Sequence, residues 1–397
     1  MPLAIVFGDV HLTTRTPLAV GADLARLFAE HPGERIVACG DLFDHSADRP
    51  DLSAEEGMRA ALDRHPVVRE AMARHLEGGG SFWLVAGNHD RDVGAPHFRG
   101  VIAGALGLGA DAAARVRTTP WFFREGALHL EHGHLYDEDN APEHPLIDGS
   151  PSLGVHFVRS FIAPTGAFAY LQANDDTPLS LFLAAFRWYG RRAPYVVYRY
   201  FRTAFDAMAM AGPFYRAGAE RARGEAMAAD FARSIDADPA LAEAILAQAT
   251  PSTLRSFRAT VRRLYFDRVV ATVSTASGLG ALAYGAIAGR NRAQAVGALL
   301  VLGGMGWLIF NWLTHFDRFG GTVPERLRRG AERVRAATDA GLVVLGHAHA
   351  EHTGDGYANT GSFSFPERGA AGRPYLVIEG DTDQPRAVRR YIERTGN

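Results

Sequence analysis

Asp41 follows a short apolar run and a glycine, and the apolar run has the pattern of a buried strand. Open α/β sheets bind their ligands in the crevice beyond the carboxyl ends of the strands. A carboxylate at this position is therefore a candidate ligand-binding group.

Four other stretches also place Asp, Asn or His directly after a strand-like run. Any one of them is a weak signal, because loop carboxylates and hydrogen-bonded histidines are common in folded proteins. Together, the five stretches supply the mixed oxygen and nitrogen donors that two divalent cations need. The other four are GDVH at 8–11, GNHD at 87–90, HGH at 132–134 and GHAH at 346–349.

The ordered set GDVH, GDLFDH, GNHD, HGH and GHAH resembles the calcineurin-like metallophosphoesterase superfamily. The blocks of that superfamily are D-x-H, G-D-x-x-D, G-N-H-[DE], a histidine-bearing block and G-H-x-H. The resemblance covers roughly residues 1–145 and 325–380. It implies an α/β fold, the four-layer α/β/β/α metallophosphoesterase sandwich. It also implies two metal sites that share Asp41, one completed by Asp9, His11 and His349 and the other by Asn88, His132 and His347.

The same resemblance implies a mechanism and roles for further residues. A hydroxide shared by the two cations would attack phosphorus in line with the leaving oxygen. His89 would act as the general acid or donate to the phosphoryl oxygens, and Asp44 would orient His89. An alternative role for Asp44 is a helix N-cap. His134 would contact the substrate or support a ligand.

The donor set does not select one metal. Oxygen and nitrogen donors of this kind accommodate Mn²⁺, Fe or Zn²⁺, and metal availability usually decides between them. We expect two Mn²⁺ ions, with Fe or Zn²⁺ as alternatives.

Composition describes a folded chain without a strong electrostatic preference. Of 397 residues, 47% are hydrophobic and 22% are charged, and the formal net charge is -2. We therefore expect no nucleic-acid partner. The only cysteine, Cys39, excludes an internal disulfide and favours a reducing compartment. The N-terminus lacks the basic region of a signal peptide, so we expect the catalytic part in the cytoplasm.

Hydrophobic patterning divides the chain into an α/β part, a helical insertion and the apolar segment 269–316. Residues 1–145 and 325–397 alternate strand-like and helical runs and form the predicted metallophosphoesterase domain. Residues 150–268 are rich in Ala and Arg, show no strand signal and are predicted to be a helical insertion. Within residues 1–145, we predict strands at 3–7, 35–39, 82–86 and 127–131 and helices at 18–31 and 55–77. After residue 320, we predict a helix at 323–339 and strands at 342–345 and 375–379. A turn at 359–362 is predicted to shape the floor of the site.

Arginines and aromatic residues are interleaved within the insertion, around Arg191 and Arg192. Arginine suits phosphate and aromatic rings suit a base or an interface. One interpretation is an amphipathic helix with a solvated basic face. The other is contact with phosphate or lipid headgroups, and it makes Arg191 and Arg192 candidate substrate-binding residues.

Residues 269–316 form a predicted apolar hairpin. No charged residue occurs in 269–289, and 293–316 holds only His315 as a possible charge. Because about 20 apolar residues span a bilayer, we expect a membrane anchor; a buried or lipid-surface hairpin is the alternative. Arginines on both flanks place both ends at the cytoplasmic face of the inner or plasma membrane. Small residues at Ala281, Gly285 and Gly289 predict close helix contact, and Trp307 and Trp312 suit an interfacial belt.

The layout is similar to the bacterial UDP-2,3-diacylglucosamine pyrophosphatases, in which a helical insert between the H-G-[DH] block and G-H-x-H receives acyl chains. This chain differs in having His89 where one branch has Arg and in its longer insert. We expect a membrane-tethered hydrolase for a phosphoester or pyrophosphate in a lipid or lipid-linked substrate. One alternative is a tethered enzyme for a soluble nucleotide or phosphoprotein. The other is an inactive binding scaffold, which should have lost metal ligands, whereas all are present.

Overall fold

A computed structural model describes residues 2–45, 47–49, 51–147, 149, 151–167, 178–215, 217–314 and 322–395. The chain divides into two compact units. The sheet unit consists of Met1–Arg159, Arg216–Ser252 and Thr322–Asn397, and the helical unit consists of Ser160–Tyr215 and Thr253–Gly321.

Every strand among the described residues belongs to the sheet unit. They are β1 (Ala4–Phe7), β2 (Arg35–Cys39), β3 (Ser81–Val85), β4 (Val116–Thr119), β5 (Phe122–Glu125), β6 (Leu128–Glu131), β7 (Leu342–Leu345), β8 (Glu351–Gly354), β9 (Tyr357–Thr360), β10 (Arg373–Glu379) and β11 (Arg386–Ile392).

Helices occur in both units. The α-helices are α1 (Leu18–Glu30), α2 (Ala54–Arg64), α3 (Pro66–Glu77), α4 (Phe98–Leu106), α5 (Ala110–Ala113), α6 (Leu153–Phe157), α7 (Ala163–Thr165), α8 (Pro178–Tyr189), α9 (Ala193–Met210), α10 (Ala217–Ser234), α11 (Pro239–Leu246), α12 (Phe257–Arg263), α13 (Phe266–Ala288), α14 (Asn291–Leu313) and α15 (Val323–Thr338).

The strands form two mixed sheets. The six-stranded sheet has the order β11-β10-β1-β2-β3-β4, with β1 to β4 parallel and β10 and β11 antiparallel to their neighbours. The five-stranded sheet has the order β5-β6-β7-β9-β8, in which β6, β7 and β9 are parallel. The predicted mixed α/β fold is thus confirmed.

Alternation along β1 shows how the sheet unit is packed. Successive side chains of a strand point to opposite faces of the sheet. Ile5 and Phe7 pack with side chains of α1 to α4, whereas Ala4 and Val6 belong to a cluster that includes residues of the second sheet. β1 therefore contributes to two hydrophobic clusters, and the second of these joins the two sheets through Leu128 and Leu130 of β6 and Leu342 and Val344 of β7.

A third cluster explains why residues 216–252 group with the sheets. Ala232 of α10 and Ile245 of α11 are buried with Leu327 of α15 and with Val343 and Leu345 of β7. The sequence placed this segment within one continuous helical insertion. Burial against the second sheet groups it instead with the sheet unit.

The predicted strands and helices of the sheet unit are present, with two differences. β1, β2, β3 and β6 lie within one residue of the predicted strand ends. The predicted helix 55–77 is divided at His65, because Pro66 lacks an N–H and disfavours helical geometry in the residue before it. The strands that the sequence did not predict are β4, β5, β8, β9 and β11, whose mixed polar residues give no apolar run.

The apolar hairpin of the helical unit consists of α13 and α14, each of 23 residues. At 1.5 Å per residue, each helix is about 35 Å long, enough to cross a hydrocarbon core of about 30 Å. Only 17% and 11% of their most apolar windows are buried, unlike the core helix of a soluble protein. The predicted end of the hairpin at Phe316 lies outside the described residues.

The two hairpin helices meet along a stripe of small residues at seven-residue spacing. This spacing keeps one stripe of each helix facing the other. The backbones approach closely: a Cβ added to Gly278 would lie 2.7 Å from the Gly297 carbonyl oxygen. The prediction for Gly289 was wrong, because this residue caps α13 in the left-handed conformation and a Cβ added to it would meet no atom of α14 within 4 Å. The buried residues are Ala271, Gly278 and Gly285 of α13 and Gly297, Gly304 and Asn311 of α14.

Candidate metal centre

The sheet unit brings together the side chains that the sequence predicted as metal ligands. Asp9, His11 and His349 offer ligand atoms within 4.8 Å of one another, and a second group does the same. Asn88 adjoins the second group, with its Oδ1 3.1 Å from His132 Nε2. The other members of the second group are Asp41 and His347.

The spacing of the first group fits a shared cation. His349 Nε2 lies 3.1 Å from His11 Nε2 and 3.2 Å from Asp9 Oδ1. Two donors bound at about 2.1 Å to one cation, in tetrahedral or octahedral geometry, lie about 3.0–3.4 Å apart. Two imidazole nitrogens and a carboxylate oxygen at these distances therefore suit one divalent cation.

The second group has the same spacing and a defined imidazole orientation. Asp41 Oδ2 lies 3.2 Å from His132 Nε2. His132 Nδ1 donates to the Cys39 carbonyl oxygen over 2.9 Å. In the neutral ring, this bond leaves the Nε2 lone pair directed at the group. His132 can thus serve as a ligand without moving.

Asp41 lies between the two groups. Its Oδ2 is 4.0 Å from His11 Nε2, and its Oδ1 accepts the backbone N–H of His89 over 2.9 Å. Burial alone would raise the pKa of Asp41, but the neighbouring His132, His89 and His11 hold that pKa well below its ordinary value. Asp41 is therefore an anion in contact with both groups, as the predicted shared ligand requires.

Asp9 is equally prepared to bind a cation. Its burial would raise the pKa of the carboxyl group, yet the charge of His349 and their hydrogen bond lower that pKa below its ordinary value. The carboxylate is fully buried and stays ionised. A buried anion with histidines as its neighbours is a favourable site for a metal ion.

The ligand-bearing loops have unusual backbone conformations. Among the described residues, eight residues other than glycine have positive φ, and five of them are predicted ligands. Such conformations cost about 1–3 kcal/mol each and persist where the surrounding structure enforces them, often at functional sites. The five are Asp9, His11, Asp41, His347 and His349.

Gly40 is required by the close approach of two loops. It has a φ of 85°, and a Cβ at this position would collide with the His132 ring. Only glycine meets both conditions without strain. The glycine before Asp41 therefore lets β2 end directly beneath a ligand of the second group.

Buried polar residues that are not predicted ligands hold these loops in register. Asp90 accepts the N–H groups of Gly87, Asp41 and Phe43 over 2.7, 3.2 and 3.2 Å. Burial and the nearby Asp41 raise the pKa of Asp90 to about 6. Asn359 donates to the Gly346 carbonyl oxygen over 2.7 Å, so the predicted floor residue positions the loop that carries His347.

His89 and Asp44 form a buried pair beside the two groups. His89 Nδ1 lies 2.9 Å from Asp44 Oδ1. Burial would lower the pKa of His89, but Asp44 and Asp41 raise it to about 10. The pair therefore holds His89 as an imidazolium when no metal is bound. His89 also lies within 4.8 Å of ligand atoms of His11 and Asp41, so it could alternatively bind a cation.

The raised pKa of His89 predicts how the stability of the metal-free protein depends on pH. The folded state binds the proton more tightly than the unfolded state, in which the pKa is about 6.5. This contribution to stability is complete below that value and is lost as the pH rises through about 10. We expect urea denaturation of the chelator-treated protein to show this loss and Asp44→Asn to make the pH profile flatter. Parallel profiles for the two proteins would contradict the pairing.

The remaining predicted site residues have different placements. His134 is buried, with its ring centroid 5.4 Å from that of His132, and burial lowers its pKa well below the ordinary value. Asp44 is not a helix N-cap: it accepts the N–H of Ala47 over 2.9 Å in a turn, and α2 begins later, at a cap provided by Ser53. Arg191 and Arg192 belong to the helical unit and are exposed, and their role in substrate binding stays a prediction.

Asp137 is a buried residue of the centre to which the sequence assigned no role. Its Oδ2 accepts a hydrogen bond from His347 Nε2 over 3.0 Å, and its Oδ1 lies 3.0 Å from Arg326. With Nε2–H engaged, His347 presents Nδ1 as its ligand atom. Asn140 donates to Asp137 over 2.7 Å and accepts from Asn88 over 3.3 Å, so one network orients two predicted ligands. The acidic residues after HGH were the only sequence signal.

Asp137→Asn is expected to weaken metal binding about 10-fold to 100-fold, the usual effect of losing a group that orients a ligand histidine. Affinity would be measured by calorimetric titration of the metal-free protein with Mn²⁺. Asp48→Asn is the matched control, because Asp48 is also buried but binds Thr14 rather than a histidine. Equal affinities for the two variants would contradict the orienting role.

A scan against protein-family models and a search of curated proteins found no match for this chain.

Proposed function

We propose that the sheet unit hydrolyses phosphoester or pyrophosphate bonds with two divalent cations, as a calcineurin-like metallophosphoesterase does. One observation carries this proposal. Seven donors from five loops, up to 340 positions apart in sequence, converge, and six of them form pairs separated by 3.1–3.2 Å. The seventh, His347, has a ligand atom within 4.8 Å of those of Asp41 and His132. A non-catalytic scaffold would not need this complete donor set.

We also propose that the sheet unit is the four-layer sandwich of that superfamily. Its layers would be α1 to α4, the six-stranded sheet, the five-stranded sheet, and α10 with α11 and α15. Support comes from the three hydrophobic clusters, one on each outer face of the paired sheets and one that joins them.

The donor set suits two cations, one held by Asp9, His11, Asp41 and His349 and the other by Asp41, Asn88, His132 and His347. When bound, such cations act as Lewis acids toward phosphoryl oxygens and lower the pKa of water toward 7. Buried carboxylates that stay ionised, and His132 and His347, each with one ring nitrogen already hydrogen-bonded, need little rearrangement to hold them. We expect Mn²⁺, with Fe or Zn²⁺ as alternatives.

His89 would serve as the proton donor in this reaction. Its Nδ1–H is engaged by Asp44, which leaves Nε2–H as the atom that can protonate a leaving oxygen. The attacking oxygen would come from a water that has released one proton to solvent. As this oxygen bonds to phosphorus, the bond from phosphorus to the leaving oxygen would break, and the leaving oxygen would receive the His89 proton. Asp44 stabilises the ring in its charged form before the transfer and fixes its orientation.

We propose a lipid or lipid-linked substrate at a membrane. The support is the apolar hairpin, whose helices are long enough to span a bilayer and whose apolar side chains face outward. Exposed apolar area of this extent is typical of a membrane or protein interface. The cytoplasmic side remains our expectation for both ends of the hairpin, because arginines flank it on both sides.

The test is an activity screen on the full chain in detergent, stripped with chelator and reconstituted with Mn²⁺. Substrates would be bis-p-nitrophenyl phosphate, dispersed lipid phosphates and lipid pyrophosphates, and soluble nucleotides. We expect metal-dependent hydrolysis with preference for a lipid substrate, and none by Asp41→Asn. Hydrolysis that survives metal removal would refute the metal-dependent function. Preference for a soluble nucleotide would refute the lipid substrate alone.

A further inference from the structure

The helix α9 has one buried face and one outward face of unusual composition. Its buried face holds small residues such as Ala193, Ala204 and Ala207. On its outward face, Tyr195, Tyr198 and Phe205 are 45%, 58% and 58% exposed. Tyr195 and Tyr198 are three residues apart, and Tyr198 and Phe205 are seven apart. With the exposed Arg202, four residues after Tyr198, these side chains lie on one side of the helix. We call this set the aromatic face.

The surroundings of the aromatic face are basic. Residues 184–210 contain five arginines and a single carboxylate, Asp206. Arg199 donates to the Ser160 carbonyl oxygen over 2.5 Å and Arg192 to that of Thr165 over 3.3 Å. The other three arginines are exposed, and they are Arg187, Arg191 and Arg202. Positive charge beside exposed aromatic rings is complementary to an anionic surface that has an apolar interior.

The aromatic face is continuous with the base of the apolar hairpin. The Phe205 ring lies 5.1 Å from that of Phe266, the first residue of α13. On the same helix, the Tyr200 hydroxyl donates to the Leu264 carbonyl oxygen over 3.1 Å. The hairpin base also carries Trp307, whose Nε1–H donates to Asp267 over 3.0 Å. Aromatic side chains of α9 therefore lie next to aromatic side chains at the base of the hairpin.

We infer that the aromatic face of α9 lies in the headgroup layer of an anionic bilayer, at the base of the inserted hairpin. This inference rests on the proposed membrane location. Tyr and Trp concentrate at membrane interfaces because their rings are apolar and their tips polar. Arginines are attracted to anionic lipids within about a Debye length of the surface. A protein partner would not require the face to run onto an outward-facing apolar hairpin.

The test uses fluorescent labels on the full chain in vesicles of equal parts phosphatidylcholine and phosphatidylglycerol. Cys39, the only cysteine, is buried and would be replaced by Cys39→Ala. A single label would then be attached through Tyr198→Cys on the aromatic face, Leu299→Cys in the hairpin, or Met227→Cys in the sheet unit. All three positions are exposed, and Met227→Cys is the control. Quenching by lipids that carry a nitroxide at the headgroup or in mid-chain reports depth.

We expect headgroup nitroxide to quench the label at 198, mid-chain nitroxide to quench the label at 299, and neither to quench the label at 227. A quenched label at 299 with an unquenched label at 198 would overturn the inference and leave the hairpin inserted. If neither label were quenched, the membrane location would fail as well. Hydrolysis of bis-p-nitrophenyl phosphate by the same samples would test the catalytic proposal separately.

Charge reversal tests the basic part of the inference. Arg191→Glu with Arg202→Glu is expected to abolish quenching of the label at 198 and to leave the label at 299 unchanged. Arg223→Glu, an exposed arginine of α10, is the matched control and should alter neither. Unchanged quenching at 198 in the double variant, or equal quenching in vesicles of phosphatidylcholine alone, would contradict recognition of anionic lipid.

Discussion

Asp41→Asn is expected to abolish high-affinity binding of both metals and to reduce phosphoesterase activity by about 10³-fold or more. Asp41 Oδ2 lies 4.0 Å from His11 Nε2 in one ligand group and 3.2 Å from His132 Nε2 in the other, and its ionised carboxylate is the donor assigned to both proposed metal sites. An amide oxygen carries no charge and cannot replace a shared carboxylate. Loss of several kcal/mol of metal-derived stabilisation of the transition state corresponds to this change in rate. Metal content after dialysis and turnover of bis-p-nitrophenyl phosphate would measure the two effects.

Asp23→Asn is the matched control for this variant. Asp23 is also fully buried, but it pairs with Arg373 and Thr395 rather than with histidines. Its replacement should lower thermal stability and leave two metals bound. If Asp41→Asn retained two metals and full activity, the two-metal centre would be refuted.

His89→Gln is expected to lower kcat by about 10²-fold to 10⁴-fold, the usual contribution of a positioned general acid, with both metals retained. The loss should be larger for an alkyl leaving group, which needs a proton, than for p-nitrophenol, which leaves readily as an anion. This difference distinguishes proton donation from metal binding. Rates for paired alkyl and nitrophenyl phosphodiesters, together with metal content, would measure it.

His97→Ala is the control for His89→Gln, because His97 is an exposed histidine that follows the same GNHD stretch. It should leave both rates unchanged. Loss of one metal from His89→Gln would instead assign His89 as a ligand with His11 and Asp41, as their spacing also permits. An equal loss of rate for both leaving groups would rule out the general-acid role.

The sequence alone predicted the candidate metal ligands and where they lie along the chain. Asp9, Asp41, Asn88, His132 and His347 each follow a strand, and each such signal is local, because an apolar run and the polar residues at its end are adjacent in sequence. The apolar hairpin was predictable for the same reason, since length and hydropathy are properties of a continuous segment.

Only the tertiary structure decided the features that depend on distant partners. Asp137 acquires its role from His347, 210 positions away, and no local pattern encodes that contact. The stripe of glycines in the hairpin is defined by which residues of α13 meet α14, so Gly278 and Gly297 lie in it and Gly289 does not. Strands such as β4 and β8 exist because neighbouring strands satisfy their backbone hydrogen bonds, and their mixed side chains leave no periodic signal in the sequence.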